Sequence, residues 1–345
     1  MNVYTTEKIR NVVLLGHGGA GKTSLAESMA YLAGITTRMG RVEDGNTISD
    51  FGKEEQKRKI SIHTSVIPIE WEGSKINILD TPGYQDFVGE TEEAVSAADA
   101  AIIVVSGKSG VEAGTEKAWE LCEKYKLPRI IYVTGMDADN ASFKNVVEAL
   151  TQMYGKRIVP FHFPIRENEK FVGYINVVSE NAERWKDKTV VECEIPDYSR
   201  ENLDLYRNIL MEAVAETSEE FMERYFAGEK FSENEIRSAL RVNVIDGSLV
   251  PITMGSNILC QGTYALIDDI VKYLPSPENR EIAGINMNTK EVFLANYDFA
   301  KAKSAYVFKT IVDPYIGKYS LIKVCSGVFK TDDVIYNSEK DIEEK

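Results

Sequence analysis

The chain has 345 residues, 43% of them hydrophobic and 27% charged, with a formal net charge of −14. This is ordinary globular composition at a length too great for one typical core, so two or three domains are expected. The acidic balance argues against indiscriminate attachment to nucleic acid, because phosphate repels it; no run of about 18 apolar residues is present, so no membrane-spanning helix is expected, and no membrane partner is expected either. The apolar run near the N-terminus leads into glycines without a cleavage site, so no signal peptide is expected. Cys122, Cys193, Cys260 and Cys325 are widely separated and form no CxxC pair. They read as reduced thiols of a cytoplasmic protein rather than as a disulfide framework or zinc site.

In chain order, residues 11–160 alternate short apolar runs with helical patterns, as a doubly wound α/β sheet requires. NVVLL (11–15) is a strand that ends at glycines, and Leu25, Met29 and Leu32 recur at helical spacing over 21–33. SVIPIEW (65–71) and KINIL (75–79), joined by Glu72, Gly73 and Ser74, form a hairpin. AAIIVV (100–105) and RIIYV (129–133) are apolar throughout, as strands buried on both faces are, with a helix over 115–125 between them. From about residue 159 to 250 the pattern changes. A β-like FVGYINVV (171–178) precedes a charged stretch with Pro196, then one long amphipathic helix is expected over 203–226, and Ser232 and Glu235 stand at capping-box spacing for another. This region reads as an inserted α+β subdomain. The sheet pattern returns with PITMGS (251–256) and a helix ending before Pro275. Residues 281–303 read as a linker. After it, AYVFKTIV and YSLIKVCSGVFK alternate like antiparallel strands, the start of a β-barrel that is incomplete at Lys345.

Gly16-His17-Gly18-Gly19-Ala20-Gly21-Lys22-Thr23 fits G-x-x-x-x-G-K-[ST], directly between a strand and a helix. Glycines in such a loop let backbone N–H groups converge on phosphate, and the helix N-terminus adds positive dipole. Lys22 would reach the β- and γ-phosphates, the Thr23 hydroxyl would ligate Mg2+, and Ser24 continues the cradle. Asp80-Thr81-Pro82-Gly83 follows the strand KINIL. An acid there can hold the Mg2+ hydration shell, and the Gly83 amide can touch the γ-phosphate.

The order of these motifs resembles elongation factor G and its relatives, the translational GTPases. RVEDGNTISDF, RKISI, DTPGYQDFVGE, EKYKLPRI, YLPSP and VDPYIGKYSLIKVCSG carry the resemblance, from Arg10 to about Asn337. It implies a GTPase (G) domain over 1–158 and 251–280, an inserted subdomain over 159–250, and the beginning of a β-barrel domain over 304–345. GTP or GDP with Mg2+ is the implied cofactor set, the ribosome the implied partner of the full-length protein, and a monomer is expected. The ribosomal protection proteins share this domain order.

Residue by residue, the resemblance assigns Ser61 to the Mg2+-binding threonine of the family's R-G-I-T, which here reads Arg58-Lys59-Ile60-Ser61. It places Thr134-Gly135-Met136-Asp137 at N-K-x-D, with Asp137 retained to accept two hydrogen bonds from guanine and the bracing lysine replaced by Gly135. It matches Gly255-Ser256-Asn257 to the G-S-A loop, bringing Ser256 and Asn257 to the base. Tyr84 stands where the family has the histidine that positions the attacking water, and Gly19 where it has aspartate. Slow hydrolysis and weakened nucleotide affinity are therefore expected. The alternatives are a guanine-nucleotide-sensing regulatory module with little or no hydrolysis, or a ribosomal protection protein. His17 receives no catalytic role, His63 reads as a structural histidine, and the charged stretch 53–61 as a mobile, solvated loop.

Overall fold

The computed structural model describes residues 2–186, 189–286, 289–313 and 317–344. The domain spans read from the sequence include Met1, Asp187, Lys188, Met287, Asn288 and Lys345, and the phrase VDPYIGKYSLIKVCSG includes Pro314, Tyr315 and Ile316. All of these lie outside the described residues.

Two compact units are present, residues 10–275 forming one and residues 1–9 with 276–345 the other. In the larger unit the chain runs β1 (Ile9–Gly16), α1 (Lys22–Leu32), α2 (Lys53–Arg58), β2 (Ser65–Trp71), β3 (Ser74–Asp80), α3 (Val88–Ala97), β4 (Ala100–Ser106), α4 (Ala113–Tyr125), β5 (Arg129–Thr134), α5 (Phe143–Tyr154) and β6 (Ile158–Pro160). It continues β7 (His162–Glu167), β8 (Lys170–Asn176), β9 (Asn181–Lys186), β10 (Thr189–Cys193), α6 (Arg200–Ala215), α7 (Glu219–Phe226), α8 (Glu233–Asp246), β11 (Val250–Met254) and α9 (Thr263–Tyr273).

The main sheet has seven strands in the order β2-β3-β1-β4-β5-β11-β6. The pairs from β1 to β6 along that order are parallel, and β2 with β3 is the antiparallel hairpin. Its two-residue turn places both Glu72 and Gly73 at positive φ, the twist that a tight hairpin favours. β4, β5 and β11 are buried along nearly their whole length, and β1 from Val12 to Leu15, which explains the apolar runs at their centres. Burying these strands between two helical layers makes the sheet the rigid base of the site.

The second sheet is antiparallel, β10-β9-β8-β7, and lies wholly between β6 and α6 in sequence. β6 itself belongs to the main sheet beside β11, so that sheet runs on to Pro160. The single helix expected over 203–226 is two helices. Thr217 turns its hydroxyl back to the Val214 carbonyl, and the Ser218 hydroxyl accepts from the Phe221 N–H at 3.1 Å, opening α7. Side chains that bond their own backbone offer an alternative to the helical ladder, and here they end it. The Ser232–Glu235 capping box opens α8 as its spacing predicts.

In the smaller unit, β12 (Ile282–Ile285) pairs with β13 (Val292–Ala295), so the stretch read as a linker carries a strand pair of its own. β14 (Ser304–Asp313) and β15 (Gly317–Ser326) form the expected antiparallel pair, and β16 (Ile335–Asn337) pairs with β17 (Ile342–Glu344).

Candidate functional site

The loop 16–23 sits at the carboxyl edge of the sheet, between β1 and α1, where open α/β sheets bind ligands. Gly16 has φ +145°, and a Cβ there would lie 2.3 Å from the Val104 carbonyl oxygen of the neighbouring strand, so β1 can leave the sheet here only as glycine. The Lys22 Nζ folds back over the loop and donates to the Gly16 carbonyl at 3.0 Å and the His17 carbonyl at 2.9 Å. Lys22 is only 5% exposed. Burial lowers its pKa to about 8, with the carboxylates of Asp80 and Asp50 pulling the other way. Ala20 is buried, Gly19 is exposed at positive φ, and Ser24 is half-buried in the first turn of α1.

Thr23 meets Ser61 hydroxyl to hydroxyl at 2.9 Å. The pair joined by sequence resemblance alone, 38 residues apart, is thus brought together. Lys59, where the motif has glycine, takes the left-handed conformation (φ 57°, ψ 37°), a backbone that costs a side chain about 1 kcal/mol. Residues 53–58 are a helix rather than a mobile loop, because Glu55 points inward while its neighbours face water. The Glu55 carboxylate accepts the N–H groups of Gly52, Ile62 and His63. Glu27 accepts those of Gly40 and Ile48. Glu90 accepts that of Thr64 at 2.7 Å, and its Oε1 lies 3.1 Å from the His63 imidazole, which gives His63 a structural partner. These three glutamates organise the segment 40–64, and no motif in the sequence marks them out.

Asp80 ends β3 fully buried, and neither of its oxygens has a hydrogen-bond partner of ordinary geometry. The same is true of Asp50, a residue within RVEDGNTISDF that no motif singles out. Burial, with repulsion from Asp50, raises the Asp80 pKa to about 7, and Lys22, Thr23 and Ser49 offset only part of this. Burial likewise raises Asp50 to about 6. Two buried, unmatched carboxyls beside two hydroxyls form an oxygen donor set suited to Mg2+, a hard cation that keeps water and takes few protein ligands. No cluster of three or more His, Cys, Asp or Glu side chains that could hold a metal ion is present among the described residues.

After Asp80, the Thr81 hydroxyl donates to the Leu14 carbonyl at 2.6 Å and fastens the turn to β1. Gly83 packs against the phosphate loop so closely that a Cβ would lie 2.4 Å from Lys22 Nζ and 2.7 Å from Gly18. Tyr84 is 46% exposed, yet its ring rests on Gly18, where a Cβ would come within 3.0 Å of it. A cavity of about 260 Å³ lies beside the ring, between Pro82, Val88 and Leu121. His17 packs against the start of α4, its Nδ1 accepting the Gly114 N–H and its Nε2 3.7 Å from Glu112.

On the other flank, Thr134 and Asn257 both donate to the phosphate loop, to the Ala20 and Gly21 carbonyls at 2.7 and 3.0 Å. Both bonds hold the phosphate loop on the side where Gly135 offers no side chain. The Met136 N–H donates to the Gly255 carbonyl at 3.1 Å and stitches together the two loops expected to border the base. Ser256 is fully buried and closes its own turn through backbone bonds with Gln261. Asp137 is exposed at the rim.

A phosphate loop, a buried lysine, paired hydroxyls and a carboxyl-ended strand on a doubly wound sheet define a nucleotide-binding P-loop protein. Residues 7–276 match the family described as the elongation factor Tu GTP binding domain, and the chain belongs to it, with the elongation-factor-G-like translational GTPases. A solved protein from Thermus thermophilus is similar over 95% of this chain, with 35% identity and a TM-score of 0.84. This chain spans 47% of that protein's length, about half of it.

Proposed function

We propose that the chain binds GTP with Mg2+, hydrolyses it slowly, and serves an elongation-factor-G-like protein that acts on the ribosome. The observation that carries this reading is the convergence of Lys22, Thr23, Ser61, Asp80 and Gly83 on one phosphate loop. Lys22 and the loop amides would hold the β- and γ-phosphates and stabilise charge as it shifts towards the leaving oxygen. Thr23 and Ser61, with Asp80 and Asp50 behind them, would hold Mg2+, which when bound neutralises phosphate charge. The Gly83 amide would meet the γ-phosphate.

Asp137 and the Ser256–Asn257 turn would read guanine. Asp137→Ala removes the acceptor for two guanine N–H groups, so GTP-over-ATP preference should fall by on the order of 100-fold in parallel titrations. An unchanged preference would sink the assignment of the base site. Tyr84 accounts for slow hydrolysis, because a phenol is a poor base near neutral pH. Tyr84→His should raise single-turnover phosphate release about tenfold. A variant no faster than wild type would show that the tyrosine is not what limits the step.

A second reading, a nucleotide-sensing module that barely hydrolyses, draws support from the Tyr84 ring lying over Gly18. Calorimetric titration with GTP, GDP and ATP, followed by phosphate release with and without ribosomes, separates the two. Guanine-specific binding with ribosome-stimulated release supports the factor-like enzyme, and binding without release in either condition supports the sensor. Preference for ATP would overturn both.

A further inference from the structure

Thr134 is the last residue of β5, and Asn257 lies on the loop that follows β11, the strand paired with β5. Both residues are 5% exposed, and their side chains reach two successive peptide units of the phosphate loop. Thr134 Oγ1 donates to the Ala20 carbonyl at 2.7 Å and Asn257 Nδ2 to the Gly21 carbonyl at 3.0 Å. Between them Gly21 is gripped. A Cβ on it would lie 3.2 Å from Asn257 Nδ2 and 3.5 Å from Thr134 Oγ1. Gly21 also has φ +98°, a conformation from which an unrestrained glycine readily departs.

In a trans peptide the C=O and the following N–H point in opposite directions. Pinning the Ala20 carbonyl therefore aims the Gly21 N–H, and pinning the Gly21 carbonyl aims the Lys22 N–H. Those two amides open α1 and belong to the cradle that faces a β-phosphate. The Gly21 carbonyl also accepts the Leu25 N–H at 2.9 Å, so the second tether acts on a peptide unit already committed to the helix. Asn257 makes its bond at the expense of Oδ1, which is buried and unmatched. At Gly135 no side chain can brace the loop instead.

We propose that Thr134 and Asn257 form a two-point latch that orients the phosphate-loop amides and ties them to the loops bordering the base. They are positioning residues for the β-phosphate. The proposal rests on the guanine-nucleotide reading above and adds a coupling between its two ends. A nucleoside diphosphate should profit from the latch, and a monophosphate, which lacks the β-phosphate, should not.

The test is competition against a fluorescent GDP analogue, with GDP and GMP as competitors, on wild type, Thr134→Val, Thr134→Ser and Asn257→Ala, each checked for an unchanged melting temperature. Thr134→Val keeps the shape without the donor, so GDP affinity should fall about 3- to 10-fold, with a similar fall for Asn257→Ala. GMP affinity should change by less than about twofold in both, and Thr134→Ser should restore most of the GDP affinity because it keeps the hydroxyl. Equal losses for GDP and GMP, or GDP affinity unaltered in folded Thr134→Val and Asn257→Ala, would overturn the latch. A Thr134→Ser variant as weak as Thr134→Val would do the same. Wild type that binds neither GDP nor GMP would instead overturn the nucleotide reading beneath it, and the latch with it.

Discussion

Lys22→Met lowers affinity for GTP by on the order of 100-fold, the loss of a charge-assisted contact shared between two phosphates. The ammonium sits in a pocket from which water is largely removed, bonded to the Gly16 and His17 carbonyls. Burial holds its pKa near 8, so the folded protein already bears a cost for keeping a charge there. A phosphate would reverse that cost by supplying the counter-charge, which is why the effect on binding exceeds any effect on folding. Methionine matches the stem of lysine and leaves its packing in place. Titration calorimetry with GTP and GDP measures the change, and a variant within about threefold of wild type would remove Lys22 from the phosphate site.

The second large effect concerns Asp80. A carboxyl whose folded pKa is raised, here from the ordinary 3.8 to about 7, contributes stability that is fully present at low pH and lost as the pH rises through about 7. Above that pH the protein carries a buried carboxylate close to that of Asp50, which the Lys22 ammonium and the Thr23 and Ser49 hydroxyls offset only in part. Asp80→Asn keeps the shape and removes the charge. At about pH 8 its unfolding free energy should exceed that of wild type by on the order of 2 kcal/mol. The gain should shrink as the pH falls from about 7 towards about 4, where the carboxyl of Asp80 is protonated in the unfolded chain as well as in the folded one. The same substitution should weaken Mg2+-supported nucleotide binding about 10–100-fold, a site strained for its ligand. Urea unfolding at about pH 8 and about pH 5 checks the first part. Equal stability of the two proteins at the higher pH would mean that Asp80 is not held ionised against its surroundings.

Much of this was legible in the sequence because it rests on local rules. The strands beside the phosphate loop are buried on both faces, so Val12 to Leu15 and Ala100 to Val105 read as strands without any knowledge of the fold. Gly16 to Thr23 carry their geometry in their spacing. What stayed hidden depends on contacts between distant segments. Glu27, Glu55 and Glu90 look like surface acids, and only the fold shows them receiving backbone N–H groups of residues 40–64. Asp50 lacks a distinctive neighbour pattern, and its meaning comes from Asp80, which it repels, and from the Ser61 hydroxyl beside it. Asn257 was placed beside the base by its loop, and only the fold shows that its amide also reaches back to the phosphate loop. The break between α6 and α7 was written in Thr217 and Ser218 but was overridden by the apolar stripe running through it.

Glu90 reaches beyond its own helix. It lies on α3, six residues past Tyr84, and it accepts the Thr64 N–H while its own carbonyl accepts the Thr64 hydroxyl at 2.8 Å. The strip that ends in Ser61 and the strip that begins at Gly83 are therefore riveted to each other, like two leaves sharing one pin. A push at either strip is felt at both, and the amides of 60–64 and 83–90 should slow or quicken their exchange with deuterium in step.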